Sequence, residues 1–245
     1  MRVVAIVQAR MGSERLPGKV LLDIVGETML SRVVMRLRQS KLIDEVVVAT
    51  TTNPVDQVIV DEAARLGIRV TRGSEEDVLA RYVEAADFTE ADVIVRVSAD
   101  SPFVDPEVTD AVIFAFLSAD PPVDYASNKL HPSFPLGLDV EAFSRDALQR
   151  AASNAAEPYE RAHVTVYMYS KLEDFTLLPV SGEKNLHSLR WTVDTPADLE
   201  FARLVFSRLG RGNDFSWKDV VSLLEKEPSL AEVNSHIMAK PITAG

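Results

Sequence analysis

The chain predicts an α/β fold in which a mainly parallel sheet is covered by helices on both faces, with a small mixed insertion in the second half. Two observations carry this. Short runs rich in Val and Ile recur at residues 2–8, 45–50, 68–71 and 92–98. Between and after them, residues 29–39, 56–66, 77–87 and 106–117 show apolar residues at helical spacing. Strands buried on both faces read as continuous apolar runs, and parallel neighbours need crossovers of helical length, so the alternation points to this architecture.

The element starts carry their own signals. Ser74 with Asp77 and Thr195 with Asp198 have capping-box spacing, and Pro106 and Pro196 suit a first helical turn. After residue 121 the pattern loosens. It reads as strand 123–128, a Pro-containing loop 131–135, strand 137–143, helices 145–155 and 159–171, and strand 175–180. A strand at 189–193 and a helix at 197–209 follow, and the tail from Ser216 reads as two short helices parted near Pro228. No repeat, low-complexity stretch or interdomain linker interrupts the 245 residues, which fit a single domain.

Composition narrows the chemistry. Apolar residues at 47% and charged residues at 26% are ordinary for a soluble globular protein, and the first apolar run is far too short to span a bilayer. A cytoplasmic protein is expected. With no cysteine, disulfides, thiolate metal sites and thiol nucleophiles are all excluded, so any metal must be held mainly by oxygen. The net charge of −11 opposes nucleic acid and anionic membrane, so a phosphate ligand needs a local patch of positive charge.

Such a patch exists. The apolar run Val3-Val4-Ala5-Ile6-Val7 empties directly into Gln8-Ala9-Arg10-Met11-Gly12-Ser13-Glu14-Arg15-Leu16-Pro17-Gly18-Lys19. Glycines let the backbone turn and approach a ligand, while Arg10, Arg15 and Lys19 set cations where a polyphosphate would lie. The string has neither the Gly-Lys-Ser/Thr close of a P-loop nor the Gly-x-Gly-x-x-Gly of dinucleotide folds.

Two later places share a pattern. Val95-Arg96-Val97-Ser98-Ala99-Asp100-Ser101-Pro102 and Leu189-Arg190-Trp191-Thr192-Val193-Asp194-Thr195-Pro196 each run from an apolar strand to an Asp, a hydroxyl residue and a turning Pro. If both strands lie parallel in one sheet, Asp100 and Asp194 sit at the same carboxyl edge as the first loop, where open α/β sheets bind ligands. Two hard oxygen donors facing a triphosphate suit Mg²⁺, which takes the rest of its shell from phosphate and water. The alternative is that each Asp merely caps the turn or helix that follows.

The loop string resembles the nucleotide-binding signature of the cytidylyltransferases that make CMP-activated acidic sugars, among them the branch named for the spore coat polysaccharide biosynthesis protein SpsF. The string Asp-Thr-Pro-Ala-Asp-Leu-Glu from Asp194 to Glu200 is similar to one typical of the group. The resemblance implies a Rossmann-like, nucleotide-diphospho-sugar transferase-like sheet, with Mg²⁺ on Asp100 and Asp194. It implies catalytic roles for Arg10, Arg15, Lys19 and Asp100. Nucleotide contacts would come from Gln8, Ala9, Arg10, Gly12, Ser13 and Lys19, joined by Ser74, which also suits a helix cap, and Arg81. The partners implied are CTP and a small sugar acceptor, with a homodimer built through the looser segment near 122–187.

The strings around Asn128-Lys129, Pro135 to Glu141 and Glu160 to Thr165 also resemble those of the branch. There Lys129, Arg161 and His163 are candidates for a sugar-acid carboxylate, and Asp139 and Glu141 for sugar hydroxyls. The implied reaction is attack of a sugar hydroxyl on the α-phosphate of CTP with release of pyrophosphate. A glycosyltransferase built on a related sheet and a non-catalytic nucleotide-binding protein are the alternatives.

Overall fold

The computed structural model describes residues 1 to 238. Its elements, in chain order, begin with β1 (Val3–Gln8), β2 (Asp23–Ile24), β3 (Glu27–Thr28), α1 (Met29–Leu37), β4 (Glu45–Thr51), α2 (Gln57–Arg65) and β5 (Arg69–Gly73). They continue through α3 (Val78–Thr89), β6 (Val93–Ser98), α4 (Pro106–Ser118), β7 (Tyr125–Ser127), β8 (Glu141–Ser144) and α5 (Arg145–Asn154). The last are α6 (Pro158–Ala162), α7 (Val166–Ser170), β9 (Leu177–Pro179), α8 (Pro196–Leu209), α9 (Trp217–Lys226) and α10 (Ser229–Glu232).

Among the described residues, seven strands form one sheet in the order β5-β4-β1-β6-β8-β7-β9. The pairs β1·β4, β1·β6, β4·β5 and β7·β9 are parallel, while β8 runs antiparallel to both β6 and β7. The antiparallel strand belongs to the second-half insertion. Alternation along β1 divides the core between the two faces: Val3, Ala5 and Val7 pack with α1 and α4, and Val4 and Ile6 pack with α3 and α5. Burying each such Val or Ile contributes roughly 1.5–3 kcal/mol. A third apolar cluster joins Trp191, Phe103 and the inner faces of α8 and α9.

The chain leaves β1 for β4 and β5 on one side, then crosses back to β6 on the other. The reversal opens a crevice at the carboxyl ends of β1 and β6, where Gln8 pairs with Ser98.

Three expectations are corrected. The expected helix over 159–171 is two short helices, broken where Val164 takes a left-handed φ of 59°. The expected strand at 189–193 makes only a single parallel bridge, Leu136 to Arg190. It is held instead by Trp191 and Thr192 N–H groups donating to the Leu136 carbonyl at 2.7 and 3.1 Å. Gly137, at φ 106°, permits this, because a Cβ there would lie 2.5 Å from the Thr192 nitrogen. Finally, α3 is capped by Asp77, whose carboxylate accepts from Ala80 N–H at 2.9 Å, while Ser74 Oγ accepts from Asp77 N–H one turn earlier. The box at Thr195 and Asp198 forms as its spacing predicts.

Candidate active site

The loop after β1 is shaped by backbone bonds. Ser13 and Gly18 N–H groups both donate to the Met11 carbonyl, at 2.9 and 3.0 Å, so the loop curls over that one oxygen. Gly18 takes the left-handed φ of 68° that the curl demands and opens a short helical turn at Lys19–Leu21. A residue that sequence reasoning missed anchors the loop. Buried Asp56 accepts from Met11 N–H at 2.7 Å and also bonds the Thr51 hydroxyl. A carboxylate holding a backbone N–H fixes where the loop starts, and no local pattern in the sequence marks it.

The curl delivers Lys19 to the two aspartates. Its Nζ donates to Asp100 at 2.7 Å, Asp194 at 2.8 Å and the Val193 carbonyl at 3.0 Å. Although residues 189–193 do not join the sheet, Val193 N–H donates to the Asp100 carbonyl at 2.8 Å, so the two Asp turns lie side by side. Burial opposes the charge of Lys19, but Asp100 and Asp194 outweigh it and raise its pKa. Burial likewise opposes the charge of Asp194, yet Lys19 and Arg15 draw its pKa below the ordinary value. Arg15 reaches Asp194 at 3.1 Å.

Behind Asp194 stands a buried bracket. Arg190 donates to Asp194 at 2.8 Å and to Asp198 at 2.9 Å, Asp198 accepts from Asp194 N–H at 3.0 Å, and Asn234 donates to Asp198 at 2.9 Å. Burial opposes the charge on Asp198, but Arg190 and Asn234 lower its pKa. Asp198 was visible in the sequence only as a helix cap. It serves both tasks, because a capping carboxylate at the start of α8 also faces the preceding turn.

The cleft enclosed by these groups has a volume of about 680 Å³, in the range of small-molecule sites. Gln8, Ala9, Gly12 and Ser13 line it along the loop, with Arg10, Arg15 and Lys19 supplying its cations. Asp100, Asp194 and His163 line it from other elements. Arg10 is paired across the mouth with Glu75 at 3.6 Å, a residue absent from the sequence expectations.

Arg81 differs from the loop cations. It is 3% exposed, lines the cleft from α3, and its Nε and Nη1 have no hydrogen-bond partner. Burial, with repulsion from Arg10 in addition, lowers its pKa. An unpaired buried guanidinium costs more than the ~1–3 kcal/mol of a neutral orphan, so this one is poised for an acceptor that enters the cleft.

The remaining candidates lie outside the lining, for identifiable reasons. Ser74 is occupied in its turn. Arg161 is bound to Asp77 at 2.7 Å and to the carbonyls of Ala152 and Ala155, which ties α6 to α3. Glu141 is buried against Arg96 and accepts from the Tyr125 and Thr165 hydroxyls at 2.7 and 2.6 Å, leaving it unable to greet a sugar. Lys129 reaches Glu141 at 3.7 Å. Asp139 is half-buried beside this group, and burial, with Glu141 and Asp100 adding to it, raises its pKa. The expected acceptor patch is therefore largely a structural charge network. Sequence proximity to a site does not reveal which charges are already spent on one another.

Among the described residues no helix is long and apolar enough to cross a membrane, and no three acidic or His residues form a metal cluster.

Comparison with known proteins fits this geometry. The chain is 33% identical over 236 residues to the spore coat polysaccharide biosynthesis protein SpsF of Bacillus subtilis, covering 94% of this chain and 96% of that one. A solved cytidylyltransferase from Leptospira borgpetersenii serovar Hardjo-bovis superposes with a TM-score of 0.91 at 32% identity, over 98% of this chain and 100% of the other. A CMP:2-keto-3-deoxy-manno-octonic acid synthetase solved with CTP shares the fold at a TM-score of 0.65 and 23% identity, over 85% of this chain and 100% of that one. The sequence profile of the family described as cytidylyltransferase matches residues 4–215, a span that takes in both the β1 loop and the Asp194 turn. The chain belongs to the cytidylyltransferase family and is a nucleotidyltransferase.

Proposed function

We propose that the enzyme joins CTP to a hydroxyl of a small sugar, forming a CMP-sugar and pyrophosphate for a surface glycan. The observation that carries this is the meeting of Lys19, Asp100 and Asp194 at the switch-point cleft, with the cationic loop beside them. The sugar-polymer relative named above supports the acceptor class, and the family supports the nucleotide.

The sugar oxygen attacks the α-phosphorus, the bond from that phosphorus to the bridging oxygen breaks, and pyrophosphate leaves while the hydroxyl proton passes to solvent or a base. Arg10, Arg15 and Lys19 would stabilise the triphosphate and the leaving group, and Arg81 would meet a further acceptor atom of the nucleotide. Holding sugar and nucleotide in one cleft supplies alignment.

The donor set suits Mg²⁺. Two half-buried carboxylates already converge on one positive charge, and among the described residues no third acidic or His residue joins them in a metal-holding group, so the remaining coordination would fall to phosphate and water. Asp100 and Asp194 would hold the ion, which would neutralise charge on the triphosphate. Lys19 and Arg15 would then turn from the aspartates toward phosphate.

Incubation with CTP, Mg²⁺ and a panel of sugar acids, including nonulosonic acids, tests the proposal through pyrophosphate release. A folded protein that releases none with any acceptor overturns it. A homodimer is part of the proposal, and a monomeric mass by light scattering would remove it.

A further inference from the structure

Beneath the cleft runs a buried polar chain that the proposed transfer does not use. Arg96 on β6 stands directly opposite Glu141 on β8, and the side chains of this ion pair are only 13% and 4% exposed. The hydroxyls of Tyr125 and Thr165 fill the other Glu141 oxygen, so the carboxylate cannot swing away. Pinned at that end, Arg96 extends its Nη2 to Gln8 and donates to Oε1 at 3.3 Å. The register places this across neighbouring strands, because Ile6 pairs with Arg96 and Gln8 with Ser98, putting Gln8 and Arg96 on one face of the sheet. Gln8 ends β1 and lines the cleft.

The chemistry of this contact permits one orientation. A guanidinium has donors only, whereas a carboxamide has an acceptor oxygen and a donor NH₂. Gln8 must therefore turn its oxygen to Arg96, and its Nε2 finds no acceptor among the described residues. A carboxamide free to flip offers a ligand either function; this one offers a donor alone. Burial opposes the Arg96 charge, but Glu141 outweighs it, so the donor-only state of Arg96 persists at any working pH.

We propose that Gln8 reads the nucleoside part of the ligand by donating from Nε2 to an acceptor atom on it, and that Arg96, braced by Glu141, is the positioning residue that sets this orientation. The proposal rests on the reading of the cleft as a nucleoside triphosphate site. Phosphate oxygens are served by the cations of the loop, to which a neutral amide adds little. Pyrimidine ring acceptors such as O2 and N3 match an NH₂ group held in one orientation.

Titration calorimetry of the whole protein with CTP and with inorganic tripolyphosphate, each with Mg²⁺, tests it. Gln8→Ala should weaken CTP roughly tenfold, the loss of one net hydrogen bond, and leave tripolyphosphate unchanged. Arg96→Lys keeps a charge opposite Glu141 but has no second arm for Gln8. It should weaken CTP alike, and the double variant should bind no more weakly than Gln8→Ala by itself. Additive losses, or tripolyphosphate falling in step with CTP, would reduce Arg96 to a structural role and overturn the positioning claim. Should Arg96→Lys fail to fold, Gln8→Glu decides, since it keeps a partner for Arg96 but removes the donor; undiminished CTP affinity there overturns the proposal. A wild-type protein that binds neither ligand removes the nucleotide reading and this inference with it. CTP binding that survives Gln8→Ala removes the inference alone.

Discussion

Lys19 and Asp100 lie 81 residues apart in the chain and are joined by a 2.7 Å ion pair, with Asp194 completing the bridge from the other side. One ammonium thus bridges two carboxylates, of which Asp194 is also paired with Arg15 and Arg190. This makes Lys19 both a structural keystone of the apo site and a cation available to an incoming phosphate.

Lys19→Met should therefore fail twice. Pyrophosphate release should fall by at least ~100-fold, the scale of removing one oriented electrostatic group. Stability at pH 7 should fall by roughly 2 kcal/mol, less than for a fully buried pair because both carboxylates are partly solvated. Parallel kinetics and denaturant titrations check both, and a variant with full turnover would remove Lys19 from the chemistry.

Replacing Asp100 by Asn separates metal binding from nucleotide binding. With EDTA present, CTP affinity should be unchanged or tighter, since a negative charge has gone. The gain in affinity on adding Mg²⁺ should vanish, and turnover should fall by about 100-fold or more. Calorimetry with and without the ion reads the difference; a full Mg²⁺ gain in the variant would show that Asp100 is no ligand.

Arg81 is held charged and unpaired in the wall of the cleft, which costs stability in the absence of ligand. Arg81→Met should stabilise the free protein by about 1–2 kcal/mol, and Tm should rise by roughly 2–4 °C for each kcal/mol. The Michaelis constant for CTP should rise by about tenfold or more at the same time. Opposite signs for stability and function mark a residue kept for its ligand. A destabilised variant with normal CTP kinetics would assign Arg81 to the fold instead.

Acid should weaken the protein through the Glu141 network. Burial raises the pKa of this carboxyl, but Arg96 and Lys129 outweigh burial and hold it at about 2, below the ordinary 4.5. A carboxyl depressed in the folded state stabilises fully above its unfolded value and loses that contribution as pH falls through the folded one. Asp194 and Asp198 act in the same direction, while Asp139, raised by burial, opposes them. Glu141→Gln should be less stable than wild type by about 3 kcal/mol at pH 7, with the gap closing between about pH 4.5 and 2. A gap independent of pH would mean that the network contributes through packing alone.

Local patterns made the strands and helices of the first half legible, because burial on both faces leaves a near-continuous apolar signature in each strand and helical spacing between them. The loop from Gln8 to Lys19 was legible for a similar reason: its glycines and cations are contiguous. The expected helix over 159–171 was misread because nothing in its periodicity shows that Val164 adopts a left-handed conformation. The segment at 189–193 looked like a strand because its apolar residues alternate with polar ones, yet Trp191 and Val193 serve the third apolar cluster instead of the sheet.

Taken alone, the chain's order of residues settled most of the elements of the first half, the apolar face of each, and which side chains could carry phosphate and metal chemistry, since those properties are local. Folding in three dimensions decided which charges remain available. Arg161 and Glu141 were drawn into pairs with Asp77 and Arg96, whereas Arg81 was left without a partner and Lys19 was set between two distant aspartates. Whether a charge is spent or free depends on partners many residues away in sequence, and only the packing of β1, β6 and the Asp194 turn around one crevice brings those partners within reach.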